Sequence, residues 1–225
     1  MHLFISRPVA PHSPLSLFAR QRGYALTALS LLAFEGLPFA LPDDPWPEWL
    51  FFYSKRGVRF FFARLSDLRQ ALPSSLRLAA IGPATAHAIR TAGHTVDFIG
   101  TGQPDATARA FRQIARGQRV CFVRAEQSRQ SVQQLVADAL EVIDLVVYRN
   151  SIRKEVTPPP AQLLIFTSPL NAEAWYQQRP PRPDQLVIAI GPTTARKLHE
   201  LGIEQVHVAP SPSEHVIVEL LQQLT

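Results

Sequence analysis

Two short turns of almost identical sequence carry residues suited to binding an anion. Gly82-Pro-Ala-Thr-Ala86 and Gly191-Pro-Thr-Thr-Ala195 each follow an apolar run and precede a helical pattern. Glycine permits a sharp turn, and proline suits the first position of a helix. The hydroxyl of Thr85 or Thr194 and the free N–H groups would then lie at the carboxyl ends of the strands, where a helix start attracts anions. Ordinary capping of a tight strand-to-helix turn would use the same residues.

Serines and arginines end other strands of the predicted sheets. Ser54 and Ser168 occupy matching strand ends, at the edge where α/β proteins bind ligands, although each also suits a helix cap. Neither lies in a Gly-x-Ser-x-Gly turn, so the sequence does not support acyl transfer. Arg7, Arg124 and Arg129 follow two other predicted strands, Leu3–Ser6 and Val120–Val123. At these positions an arginine can either bind an anion or form a surface ion pair, and the sequence does not decide between the two.

Several kinds of chemistry lack their sequence signatures. Neither Gly-x-Gly-x-x-Gly nor the P-loop pattern occurs, so dinucleotide and P-loop phosphate sites are not expected. The seven histidines are scattered, and the single cysteine, Cys121, excludes an intramolecular disulfide and a thiolate cluster. We therefore expect no metal site. No apolar run approaches the roughly 18 residues of a membrane span, and the first residues do not resemble a signal peptide, so we expect a cytoplasmic protein.

The charge of the chain points to an anionic partner without identifying it. The net charge is +5, and 20 of the 23 basic residues are arginines, which favour two-pronged capture of carboxylate or phosphate. An anionic small molecule, a nucleic acid and a merely solvated surface all fit this bias. The arginines are dispersed and no basic recognition helix stands out, which disfavours nucleic acid.

Short apolar runs alternate with amphipathic stretches over the 225 residues, and this alternation predicts α/β units with parallel sheets. Helical spacing is found from Val58 to Leu72 and from Val132 to Ala139, and Ser213 can cap a last helix. Ten strands would make one large sheet but fit two sheets of five. The predicted strands are Leu3–Ser6, Ala25–Leu32, Leu50–Tyr53, Leu78–Ile81, Val96–Ile99, Val120–Val123, Val142–Tyr148, Leu163–Thr167, Leu186–Ile190 and Val206–Ala209.

An internal repeat organises these units. Leu50-Phe-Phe-Tyr-Ser54 leads to the first Gly-Pro-x-Thr-Ala turn as Leu164-Ile-Phe-Thr-Ser168 leads to the second. The pattern allows contiguous halves or one domain inserted in another. Proline-rich stretches at about 34–49 and 149–161 lie where an inserted domain would be entered and left, which favours nesting. The predicted domains are then 1–34 with 151–225, and 37–148.

Taken together, these features resemble the uroporphyrinogen-III synthase family over essentially the whole chain. The resemblance rests on Ile5-Ser-Arg-Pro8, the two strand–Ser segments, the paired turns, and Val147-Tyr148-Arg149 before the second linker. It implies two similar five-stranded, Rossmann/flavodoxin-like parallel-sheet domains, nested as above, joined by a two-strand linker, with the active site in a cleft between them. It also implies closure of hydroxymethylbilane to uroporphyrinogen III, with inversion of ring D, loss of water and no cofactor.

The resemblance also assigns roles to residues. Tyr148 is the implied proton donor for the departing hydroxyl, because a phenol O–H can act as a general acid. The implied protein is a monomer that could take its substrate from the upstream deaminase, without nucleic acid or membrane. The positions expected near the eight-carboxylate substrate are Arg7, Ser54, Thr85, Arg124, Arg129, Ser168, Thr193 and Thr194.

Two departures and one rival interpretation accompany this hypothesis. Arg124-Ala-Glu-Gln-Ser-Arg129 keeps both arginines of a glycine-rich family stretch but neither glycine. Lys55-Arg56-Gly57-Val58 is more basic than the corresponding segment of the family. The extra charge either compensates for the two lost glycines or simply belongs to the solvated surface. A non-catalytic two-lobed module that binds an anionic small molecule would carry the same basic residues.

Overall fold

The computed structural model describes residues 1–43 and 45–225 and divides the chain into two compact units. Unit 1 comprises Met1–Ala33 and Ser151–Thr225, and unit 2 comprises Phe34–Asn150. The chain passes between them inside strands β3 (Leu32–Gly36) and β8 (Glu141–Ile152), which are neighbours in one sheet. Asp44, within the predicted linker 34–49, lies outside the described residues.

Unit 1 is built on a five-stranded sheet in the order β11-β10-β9-β1-β2, in which all neighbouring strands are parallel. Helices follow β1, β9, β10 and β11, as expected for parallel strands covered on both faces. Its elements are β1 (His2–Ile5), α1 (Pro14–Gln21), β2 (Ala25–Ala28), β9 (Leu163–Phe166), α6 (Pro169–Tyr176), β10 (Leu186–Ala189), α7 (Pro192–Glu200), β11 (Val206–Val208) and α8 (Glu214–Leu224).

Unit 2 has a six-stranded sheet in the order β3-β8-β7-β4-β5-β6. The pairs from β8 to β6 are parallel, and the register between β7 and β8 shifts after Arg124, where Ala125 pairs with Tyr148. Besides β3 and β8, its elements are β4 (Trp49–Phe52), α2 (Lys55–Asp67), β5 (Arg77–Ala80), α3 (Pro83–Thr91), β6 (Phe98–Ile99), α4 (Pro104–Ala115), β7 (Arg119–Ala125) and α5 (Ser131–Val136).

Alternate residues of each central strand enter different apolar clusters, which explains why the strand sequences are apolar throughout. In β4, Leu50 and Phe52 join one cluster with Val58 and Phe61 of α2, whereas Phe51 joins the other. That second cluster lies on the opposite face of the sheet and includes Phe111 of α4. Both faces are therefore sealed by helices, and the carboxyl ends of the strands are left to carry polar side chains.

The α/β class with two parallel sheets is confirmed, with three local corrections. The second sheet has six strands instead of five, because β3 adds to the edge of β8. The predicted strand Ala25–Leu32 is two strands, β2 and β3, which belong to different sheets. The helix predicted to reach Leu72 ends at Asp67, where the chain leaves through Arg69 at a φ of 51°. None of the described helices is long and apolar enough to span a bilayer.

Candidate active site

In unit 2, three neighbouring strands and the paired β8 bring four predicted site residues to one sheet edge. Ser54 follows β4, Thr85 lies in the first turn of α3 after β5, and Arg124 lies near the end of β7. Tyr148 of β8 pairs with Ala125, the last residue of β7. Since these strands are parallel, their carboxyl ends meet at the same edge. The sequence alone could place each residue at a strand end, but only the sheet order makes them neighbours.

Tyr148 and Ser54 form a hydrogen-bonded pair at this edge. Their hydroxyl oxygens are 3.1 Å apart, and Ser54 Oγ also accepts a hydrogen bond from the Gly57 N–H at 3.0 Å. Ser54 is thus the N-cap of α2, in extended backbone geometry. The hydroxyl proton of Ser54 is not needed for capping, so the pair can be arranged with either oxygen as donor.

Aromatic side chains hold the Tyr148 ring, which is 6% exposed. Phe60 of α2 is stacked against it with ring centroids 5.3 Å apart, and Phe34 of β3 lies 6.4 Å away. Gly36 makes this packing possible, because a Cβ atom there would come within 3.0 Å of the Phe60 ring. The phenol ring is fixed by packing on two sides, and its hydroxyl is oriented by Ser54.

Arg124 is buried and occupied by protein acceptors. Its Nε and Nη2 donate to the two Asp144 carboxylate oxygens at 2.6 and 2.5 Å, and Nη1 donates to the carbonyls of Ala125 and Glu126. When the Gln130 amide is assigned with its oxygen toward the guanidinium, the orientation that satisfies both amide atoms, this oxygen accepts from Nε at 3.1 Å and Nη2 at 2.7 Å. All five N–H groups are therefore engaged, and Arg124 ties β8 to the segment that carries Arg129.

The two remaining predicted residues of unit 2, Arg129 and Thr85, differ in their exposure to solvent. Arg129 is exposed and forms no ion pair or hydrogen bond with any described residue. Thr85 is buried, and its backbone N–H donates to Gly82 O at 3.1 Å. Gly82 begins α3 without a side-chain cap. After Pro83, which has no N–H, the backbone N–H of Ala84 is left without an acceptor among the described residues.

Unit 1 repeats this strand-end arrangement with different partners. Ser168 caps α6, where its Oγ accepts from the backbone N–H of Asn171 at 3.3 Å and from Nδ2 at 2.9 Å. Asn171 is buried, and its Oδ1 accepts the Leu31 N–H at 2.8 Å. Gly191 begins α7 without a side-chain cap, like Gly82.

The threonines and the arginine predicted for unit 1 differ in accessibility. At the start of α7, Thr194 is buried and Thr193 is exposed. Arg7 Nη2 lies 3.2 Å from Glu214 Oε1, at the first residue of α8. Arg7 is thus paired with an acid; its side chain is 37% exposed, and its Nε is buried without a hydrogen-bond partner among the described residues.

Some polar groups that matter at these edges were missed from the sequence. Asp144 is a lone acid in the apolar run of β8, paired across the sheet with Phe122, and that isolation is a signal that could have marked it as the partner of an arginine. Asn171 gave no such signal. Burial raises the pKa of Cys121 to about 12, so this thiol stays protonated. Among the described residues, no three His, Cys, Asp or Glu side chains are grouped so as to hold a metal.

Comparison with known proteins decides the family. The model of the family described as uroporphyrinogen-III synthase HemD matches residues 14–219. The chain belongs to the uroporphyrinogen-III synthase family. It is therefore related to cyclising lyases of tetrapyrrole biosynthesis, as the resemblance of its motifs implies.

Solved structures show the same fold. The uroporphyrinogen-III synthetase from Helicobacter pylori is 24% identical, with all of both chains covered and a TM-score of 0.75. A mutant uroporphyrinogen III synthase from Thermus thermophilus is 17% identical, with this chain covered fully, that chain to 97%, and a TM-score of 0.62. At these identities the similarity concerns the fold, so the assignment to the family rests on the family model.

Proposed function

We propose that this chain closes hydroxymethylbilane to uroporphyrinogen III, with inversion of ring D and loss of water, and that Tyr148 supplies the proton for the departing hydroxyl. The observation that carries the proposal is the Tyr148–Ser54 pair in a member of this family. The phenol of Tyr148 is held by packing and by one hydrogen bond, so its ring keeps its orientation while the hydroxyl donates a proton.

The serine makes the proton transfer easier. In the resting pair the phenol can donate to Ser54 Oγ, but when the phenol donates to the substrate, the Ser54 hydroxyl can turn and donate to the phenolate oxygen. Hydrogen bonding to the charged form stabilises it. The phenol proton leaves with the hydroxyl as water, and the proton released when the macrocycle closes restores the phenol. The cycle therefore consumes no cofactor.

Binding would come from groups that favour carboxylates. The substrate carries eight of them, and the chain has a net charge of +5 with helix starts that have unused N–H groups. The substrate would also contact Arg7, Ser168 and the three threonines Thr85, Thr193 and Thr194. Arg129 would contact the substrate directly, whereas Arg124, whose donors are all engaged, would act by holding the segment 125–130.

We further propose a cytoplasmic monomer that receives its substrate from the upstream deaminase. The single cysteine supports a reducing compartment, because this chain has no intramolecular disulfide to maintain. The rival function, a binding module for an anionic small molecule, would bind the bilane without turning it over. Nucleic-acid binding would show a steep salt dependence, and failure to bind duplex or single strands at low salt would eliminate it.

Product analysis tests the proposed function. Purified protein is supplied with hydroxymethylbilane, and the type III macrocycle is separated from the type I isomer that forms spontaneously. We expect type III to predominate and its rate of formation to rise in proportion to protein concentration. If only type I forms at the spontaneous rate while the bilane binds, the binding module is correct and the enzyme assignment is wrong.

A further inference from the structure

The first turns of α2 carry charges that oppose the helix dipole. Lys55, Arg56 and Arg59 lie at its N-terminal end, and its first turn has no acidic residue. Cations near a helix N-terminus are unfavourable, usually by a few tenths of a kcal/mol each. The charges at the start of α2 break this rule next to the Tyr148–Ser54 pair. Such an exception beside a candidate active site indicates that the charges bind a ligand.

Arg56 is held in place but lacks an anionic partner. Its guanidinium carbon lies 3.7 Å from the centroid of the Phe34 ring, a cation–π geometry that fixes the planar group. Among residues 1–43 and 45–225, it forms no ion pair and no hydrogen bond through its side chain. Glu35, the nearest acid along β3, is paired with Arg149, with its Oε2 2.8 Å from Nη2.

The surroundings of Arg56 make the lack of an anionic partner energetically unfavourable. Partial burial lowers the pKa of Arg56, the interaction with Tyr148 raises it, and the neighbouring charge of Arg59 lowers it again. A guanidinium remains charged under these conditions, so this half-buried cation keeps donors that no described residue accepts. In contrast, the buried Arg124 has every donor engaged by acceptors in the same unit. The two arginines differ in whether the protein itself satisfies them.

We propose that Arg56 binds one carboxylate side chain of the substrate in two-pronged geometry, beside the Tyr148–Ser54 pair. The inference rests on the proposed function and deepens it by naming a binding residue. Phe34 links the two groups, because its ring contacts the guanidinium and lies 6.4 Å from the Tyr148 ring.

Steady-state kinetics with hydroxymethylbilane test this inference. Arg56→Gln should raise KM about tenfold or more and change kcat by less than threefold, because the interaction is made equally before and during the reaction. Arg56→Lys should fall between wild type and Arg56→Gln, since it keeps the charge but loses the fork and the stacking on Phe34. Arg109→Gln on α4, which removes the same charge from an exposed position, should leave KM within twofold.

Stability and product binding separate the possible outcomes. Because Arg56 has no acidic partner, Arg56→Gln should leave the melting temperature unchanged or slightly higher, whereas a structural role would lower it. Uroporphyrin III binding, followed by its fluorescence, should weaken about tenfold in Arg56→Gln, and binding of the uncharged octamethyl ester should not change. An active wild type with an unchanged KM in Arg56→Gln overturns this inference alone. An inactive wild type that still binds uroporphyrin through Arg56 overturns the proposed function alone.

Discussion

The two strand–Ser segments of the repeat have almost the same backbone but serve different partners. Ser54 and Ser168 have φ and ψ of −160° and 155°, and of −162° and 154°, and each caps the helix that follows. The Ser54 hydroxyl continues to Tyr148, whereas the Ser168 hydroxyl continues to Asn171, which in turn accepts the Leu31 N–H. One copy orients a phenol, and the other satisfies a buried amide.

The comparison shows that a repeated motif identifies a position and not a role. Capping needs only a serine before a helix, so both copies keep it. The remaining hydrogen-bonding capacity of the hydroxyl is free to take whichever partner the neighbouring elements supply. In unit 2 that partner comes from β8, and in unit 1 from the first turn of α6 itself. The role of each serine therefore depends on the group that its hydroxyl contacts in addition to the helix N-terminus that it caps.

The largest expected effect is that of removing the phenol hydroxyl. Tyr148→Phe should lower kcat for type III formation about a hundredfold, because general acid catalysis of this kind contributes that much or more. The ring packing against Phe60 is kept, so uroporphyrin affinity and the melting temperature should change little. Rapid-quench measurement of the type III product would check this.

Tyr53→Phe is the matched control for that experiment. Tyr53 immediately precedes Ser54, its pKa is raised to about 12 chiefly by burial, and its oxygen accepts the Gln133 N–H at 2.7 Å. Losing this acceptor should cost about 1–2 kcal/mol of unfolding free energy and leave kcat within threefold. A rate loss in Tyr53→Phe equal to that in Tyr148→Phe would remove the special role of Tyr148.

A smaller difference is expected between the two glycine turns. A Cβ atom on Gly82 would lie 3.0 Å from the Gly102 Cα, whereas a Cβ atom on Gly191 would meet no heavy atom of the described residues within 4 Å. Both positions have extended backbone, which alanine adopts without strain. Gly82→Ala should therefore lower the unfolding free energy by about 1–2 kcal/mol, and Gly191→Ala should change it by less than about 0.5 kcal/mol. Urea titrations would measure both, and equal losses would show that the turns are packed alike.

The sequence was informative where a motif acts locally. The caps at Ser54 and Ser168, the turns at Gly82 and Gly191, and the apolar strands follow from short-range rules of turn chemistry and burial. These rules sufficed to give the α/β class and the strand ends at which the site residues lie.

Long-range pairings could not be read in the same way. The salt bridge between Arg124 and Asp144 depends on the register of β7 with β8, and the approach of Tyr148 to Ser54 spans 94 residues. The sixth strand of the second sheet arises because β3 pairs with β8, and Leu32–Gly36 by itself reads equally well as part of a linker. Arg56 was visible as an unusual charge, but only the structure shows that it lacks an acidic partner among the described residues.

The different roles of the two serines are tested most directly by comparing Ser54→Ala with Ser168→Ala in kcat and in unfolding free energy. Each loses a helix cap, so each should be destabilised by about 1 kcal/mol. Because only Ser54 contacts the phenol, Ser54→Ala should lower kcat for type III formation about tenfold, and Ser168→Ala should leave it within threefold. Equal kcat values in the two variants, at equal stability, would contradict the account.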